Sequence, residues 1–127
     1  MQTFKSYTYG DPEAEHVLIQ MADDHDLAVI EQEVSFIQEL APGKRFFLKA
    51  LKVNDWNHDL SPWPAPAVFG NEDFGDGAKE TLEFILSEAV PERRSKDLSP
   101  DGAASSPEKN YFIGGYSLAG LFALWAV

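Results

Sequence analysis

The last stretch of this chain limits its fold more than any other part. Asn110-Tyr-Phe-Ile-Gly-Gly-Tyr-Ser-Leu-Ala-Gly-Leu-Phe-Ala-Leu-Trp-Ala-Val127 carries no Asp, Glu, Lys or Arg. Tyr111 to Ile113 has the apolar make-up of a short buried strand, and an apolar helical pattern begins directly after Ser117. A strand that turns into a helix over so few residues leaves no room for bulk beside the bend. Side chains two positions either side of Ser117 would collide with the two elements being joined, so Gly115 and Ala119 are expected to be small for a steric reason.

The preceding residues alternate between strand and helix patterns. Gln2 to Tyr9 alternates loosely, as an edge strand does, and Gly10-Asp11-Pro12 breaks it. Val17 to Met21 is a short apolar run of the kind covered on both faces. Asp23-Asp24-His25-Asp26 opens a helix in which Leu27, Ile30, Val34 and Ile37 fall at helical spacing, and Ala41-Pro42-Gly43 ends it. Phe46 to Val53 is the next strand. A long loop follows to about Asp76, then a second amphipathic helix with Ala78, Leu82, Ile85, Leu86 and Ala89 on one face, stopping at Pro91. Glu92 to Lys109 is polar and rich in Ser, Pro and charge, and is expected to be a mobile surface loop. From Val17 the order is β-α-β-α-β-bend-α. That order predicts a three-layer α/β/α domain around a small, mostly parallel sheet with right-handed crossovers.

Composition narrows the function. At 127 residues the chain has room for one domain with a modest core. A net charge of −11 disfavours nucleic acid and anionic membrane surfaces as partners. Without cysteine there is no disulfide framework and no thiol nucleophile. The amino terminus lacks the apolar core of a secretory signal, so a cytoplasmic location is the expectation.

Ser117 is the principal candidate for chemistry. Small-x-Ser-x-small between a strand and a helix is how a nucleophile elbow is written, here Gly115-Tyr116-Ser117-Leu118-Ala119. Ligands of open α/β sheets sit outside the carboxyl ends of the strands, which is where the bend would hold the hydroxyl. The backbone N–H of Leu118, at the positive end of the helix, would face an oxyanion. A second donor is expected from the stretch after the first parallel strand, around Asp23. Three plainer readings compete: close packing of helix on strand, a phosphate cradle, and a membrane anchor spanning 111–127. No G-x-G-x-x-G and no lysine after the glycines supports phosphate, and Gly-Gly-Tyr-Ser interrupts any span of the roughly 20 residues a membrane requires.

Two other clusters carry less. Asp23, Asp24 and Asp26 cap a helix and complement its dipole rather than assemble a metal site. His58-Asp59 could pair as a general base, but neighbouring residues rarely aim at one target. Trp56 and Trp63, with Phe69, either wall a pocket or seal the loop onto the core, in a loop stiffened by Pro62, Pro64 and Pro66.

Four segments together resemble the putative esterase group of the α/β-hydrolases, which includes S-formylglutathione hydrolase and enterobactin-esterase-like enzymes. They are Asp23 to Leu27, Asp55 to Pro66, Phe74 to Ala78 and Gly114 to Gly120. The resemblance covers the chain but only the amino-terminal portion of such an enzyme. It implies a partial α/β-hydrolase fold and a serine carboxylesterase acting on a small-molecule ester without metal or organic cofactor. Ser117 would be the nucleophile, with Leu118 N–H and Asp23 N–H as oxyanion donors, although the sequence lacks the family's glycine-rich turn at Asp23. Triad order in that fold is serine, acid, histidine. His16, His25 and His58 all precede Ser117, and no acid follows it, so the 127-residue chain is expected to be inactive alone. An open edge beside Tyr111 to Ile113 would favour self-association. A non-catalytic interaction domain and a tail-anchored protein are the rival expectations.

Overall fold

The computed structural model describes residues 3–68, 70–89 and 109–127. The loop expected at 92–109 lies outside them apart from Lys109, and so does Phe69. Four strands, β1 (Lys5–Gly10), β2 (His16–Ala22), β3 (Phe47–Lys52) and β4 (Asn110–Gly114), form one sheet in the order β1-β3-β2-β4. β2 runs parallel to both β3 and β4, while β1 closes the far side antiparallel to β3. The sheet is therefore mixed but mostly parallel, as the alternating pattern implied.

Side-chain alternation splits the core into two layers. Val17, Ile19 and Met21 of β2 share a face with Leu51 of β3 and with Tyr111 and Ile113 of β4. That face is packed by α3 (Ala78–Phe84) through Ala78 and Leu82, and by α4 (Leu118–Ala126) through Ala119 and Phe122. Leu18, Ala22, Leu48 and Ala50 face the other way and meet Leu27, Ile30 and Val34 of α1 (Asp24–Leu40). Helices on both faces give the three layers.

Two elements depart from the sequence reading. The loop after β3 contains one helical turn, α2 (Trp56–Asp59), capped by Asp55, whose side chain accepts from the His58 N–H. The helix expected to run to Pro91 is α-helical only through Phe84 and widens to a π turn at Ile85–Ala89. Thr81, absent from the expected apolar face, is fully buried there, and its hydroxyl donates to the carbonyls of Asp59 at 2.7 Å and Gly77 at 3.2 Å. A buried hydroxyl with an acceptor carries little penalty, and this one ties α3 to α2.

Candidate functional site

The chain leaves β2 toward β3 on one side, yet β4 pairs with β2 on the other. Connections thus diverge between β2 and β4, and the space outside the carboxyl ends of two such strands is the usual ligand position in sheets of this kind. β2 leads into α1 at Asp24 and β4 leads through the bend into α4 at Leu118, so both helices begin at the carboxyl edge of the sheet, α1 on one face and α4 on the other. Gln20 pairs with Gly114, the last register pair of the two strands.

Ser117 has φ 57° and ψ −125°. Among the described residues it is the one non-glycine with positive φ. These angles belong to the first central position of a type II′ turn, where glycine is normal. A side chain held there costs about 1–3 kcal/mol and persists only where the surroundings enforce it. Enforcement is visible on both sides: Ala119 is fully buried against Gly115, and Ala119 N–H donates to the Tyr116 carbonyl at 3.1 Å. The Ser117 carbonyl accepts from Gly120 N–H at 3.0 Å and Leu121 N–H at 3.2 Å, which starts α4. The Ser117 side chain is exposed and makes no capping hydrogen bond. A serine before a helix ordinarily caps it; this one leaves its hydroxyl outside.

Leu118 N–H lies at the first position of α4, where helical N–H groups have no partner inside the helix. Asp23 is otherwise arranged. Its N–H donates to Asp26 Oδ2 at 3.2 Å, while its Oδ1 accepts from Asp26 N–H at 2.9 Å, a reciprocal capping box. The donor expected at Asp23 is therefore already engaged, because two carboxylates three residues apart satisfy each other's backbone. Partial burial, reinforced by the neighbouring Asp23 charge, raises the Asp26 carboxyl above the usual range. Asp24 pairs with Lys52 Nζ at 2.8 Å. The three aspartates are thus occupied as caps and an ion pair, and among the described residues no group of three or more candidate ligands is set to hold a metal.

At the ends of β2 and β3 lies a cleft of about 310 Å³ lined by Asp23, Asp24, Lys52, Val53, Asn54 and Trp56. Trp56 forms its apolar wall. Trp63 does not line it: with the Ser61 hydroxyl bonded to the Trp63 carbonyl and Ala65 bridged to Phe74, the loop leaves that indole 55% exposed.

The histidines fall in different places. His16 begins β2 level with Asn110, so about 13 Å of strand, at roughly 3.3 Å per residue, separates it from the end of β4. His25 is exposed in the first turn of α1. His58 does bond its neighbour, Nδ1 to Asp59 Oδ1 at 3.2 Å, contrary to the rule that adjacent side chains diverge. The reason is α2: Asp59 is buried and accepts from the N–H groups of Asn54 at 3.0 Å and Asp55 at 2.9 Å, so its carboxylate folds back beneath the turn. The imidazole lies against Gly75 and Gly77, where any Cβ would strike it. Those two glycines were the sequence signal for this contact.

The chain's structure is similar to that of the siderophore hydrolase EstA from Aspergillus nidulans, with a TM-score of 0.58 and 19% sequence identity. The likeness covers 89% of this chain and 40% of that one, so the chain spans about two fifths of the length of its structural relative. At that identity the likeness shows the fold, a partial α/β arrangement shared with a hydrolase. No family model matches the sequence, and no curated protein matches it. Among the described residues no helix is long and apolar enough to cross a membrane. Residues 111–127 divide into β4, the bend and a nine-residue helix rather than one span.

Proposed function

We propose that this chain carries the nucleophile-bearing part of a serine carboxylesterase, with Ser117 as the nucleophile. The observation that carries the reading is the backbone of Ser117, φ 57° and ψ −125°, at the junction of β4 and α4. Strain of this kind has no use in close packing of helix on strand, which any relaxed residue would serve. It does serve a hydroxyl that must stand clear of its own helix. Likeness of fold to a siderophore hydrolase supports the same class of reaction.

In the proposed reaction Ser117 Oγ attacks the carbonyl carbon of a carboxylic ester and gives its proton to a base. The carbonyl oxygen becomes an oxyanion facing the Leu118 N–H and the positive ends of α1 and α4. Collapse expels the alcohol and leaves an acyl group on Ser117, which water releases. Trp56 would wall the acyl or alcohol side. Asp23 N–H joins as a second donor only if Asp26 lets it go.

The test is prolonged reaction with a fluorophosphonate followed by peptide mass spectrometry. An oxyanion site retains part of its effect without a complete triad, so an adduct on Ser117, absent in Ser117→Ala, is expected. Labelling of other serines with Ser117 left unmodified overturns the assignment.

A further inference from the structure

α1 carries two apolar stripes, and the sheet covers one. Ile30 and Val34 are buried against it, with Leu27 beside them. Val29, Phe36 and Leu40 follow one another at seven and then four residues, which returns each to one line on the opposite side of the helix. Phe36 is 63% exposed and Leu40 83%. Single exposed apolar residues are ordinary, but a line of them on a solvated helix is a patch that marks an interaction. With Glu33 included, Val29, Glu33, Phe36 and Leu40 have the alternating four-and-three spacing of a coiled-coil seam.

Charge restricts what fits there. α1 contains Asp24, Asp26, Glu31, Glu33 and Glu39, and no lysine or arginine. Glu31, Gln32, Ser35, Phe36 and Glu39 form an open, nearly flat surface beside the stripe. A second copy on this face would set acidic helix against acidic helix on chains that each carry −11, and like charges across a seam are destabilising. An anionic lipid surface is repelled for the same reason. We infer that the outer face of α1 is a docking surface for a basic amphipathic helix of a partner protein, its apolar residues seated on Val29, Phe36 and Leu40 and its cations on Glu33 and Glu39. A polar residue within an apolar seam selects partner and register, and Glu33 selects for lysine or arginine.

The test titrates the whole chain, at physiological salt, with a leucine/lysine peptide of about three heptads. A peptide of the same composition in scrambled order and a leucine/glutamate peptide of the same pattern are the controls. Expected are amide NMR shifts confined to the outer side of α1, an affinity about tenfold weaker for Phe36→Ser and for Glu33→Lys, and no binding of either control. Both substitutions are at exposed positions, and unchanged thermal unfolding shows that each variant is folded. Equal binding of the scrambled peptide, shifts centred on α4, or unaltered affinity of Phe36→Ser overturns the inference. So does a dimer in sedimentation that Phe36→Ser dissolves, because the occupant would then be a second copy.

Discussion

A methyl group at Gly115 would stand 2.5 Å from the Cβ of Ala119 and 3.0 Å from its carbonyl oxygen. Both neighbours are fixed, one as a fully buried side chain and the other as helix backbone. Gly115→Ala is therefore expected to destabilise the fold by about 3 kcal/mol, at the upper end of overpacking effects. Ala119→Gly in the same chain should restore only part of this, since the carbonyl contact remains. Urea unfolding of the two variants checks it, and full restoration would mean that the methyl–methyl clash is the whole effect.

Ser117→Gly is expected to stabilise the chain by about 1 kcal/mol, because glycine occupies a positive φ without strain. The same variant should lose fluorophosphonate labelling. Stability gained where reactivity is lost is the behaviour of a strained functional residue. A fall in stability on substitution would indicate that the serine side chain supports the fold.

His58 predicts a pH dependence. Its bond to Asp59, with the charges of Asp59, Asp55 and Asp76 around it, holds the imidazolium above the ordinary histidine range. A base raised in the folded state adds stability that is fully present below the unfolded value near 6.5 and is lost as pH rises through the folded value. Unfolding midpoints of the parent chain should accordingly drop from about pH 6.5 upward, and those of His58→Gln should change less over the same interval. NMR titration of the His58 ring at or below 6.5 would refute the direction.

Among the described residues β4 pairs only with β2, and Phe112 on that strand is exposed, as are Leu121 and Leu124 of α4. We propose self-association there, since an apolar strand edge with unpaired amides recruits further strand. Sedimentation should give a mass that grows with concentration, and Phe112→Lys should return it to one chain. A monomer of constant mass at high concentration goes against the proposal.

Much of the architecture was legible because its signals are local. Val17 to Met21 and Phe46 to Val53 announce strands by composition, and the aspartates after Ala22 announce a capped helix. Strand order was not legible, since periodicity states that a segment is a strand and not which neighbour it takes; nothing local in the sequence places β1 beside β3. α2 was not legible because four residues are too few to carry a period, and it exists through the buried Asp59 carboxylate. At the candidate site the bend around Ser117 was written in Gly115 and Ala119. The engagement of Asp23 N–H was not, because it depends on where the Asp26 side chain turns.

The pairing of β2 with β4 also sets an order of events. His16 meets Asn110 across 94 residues, whereas Val17 meets Phe47 across 30 by subtraction. Closing the larger loop costs about 1 kcal/mol more chain entropy, and distant pairings form late in folding. The chain emerging from a ribosome can therefore build the β2–α1–β3 unit first and gain its reactive bend at the end, so an early-terminated product would be half folded and wholly without that hydroxyl.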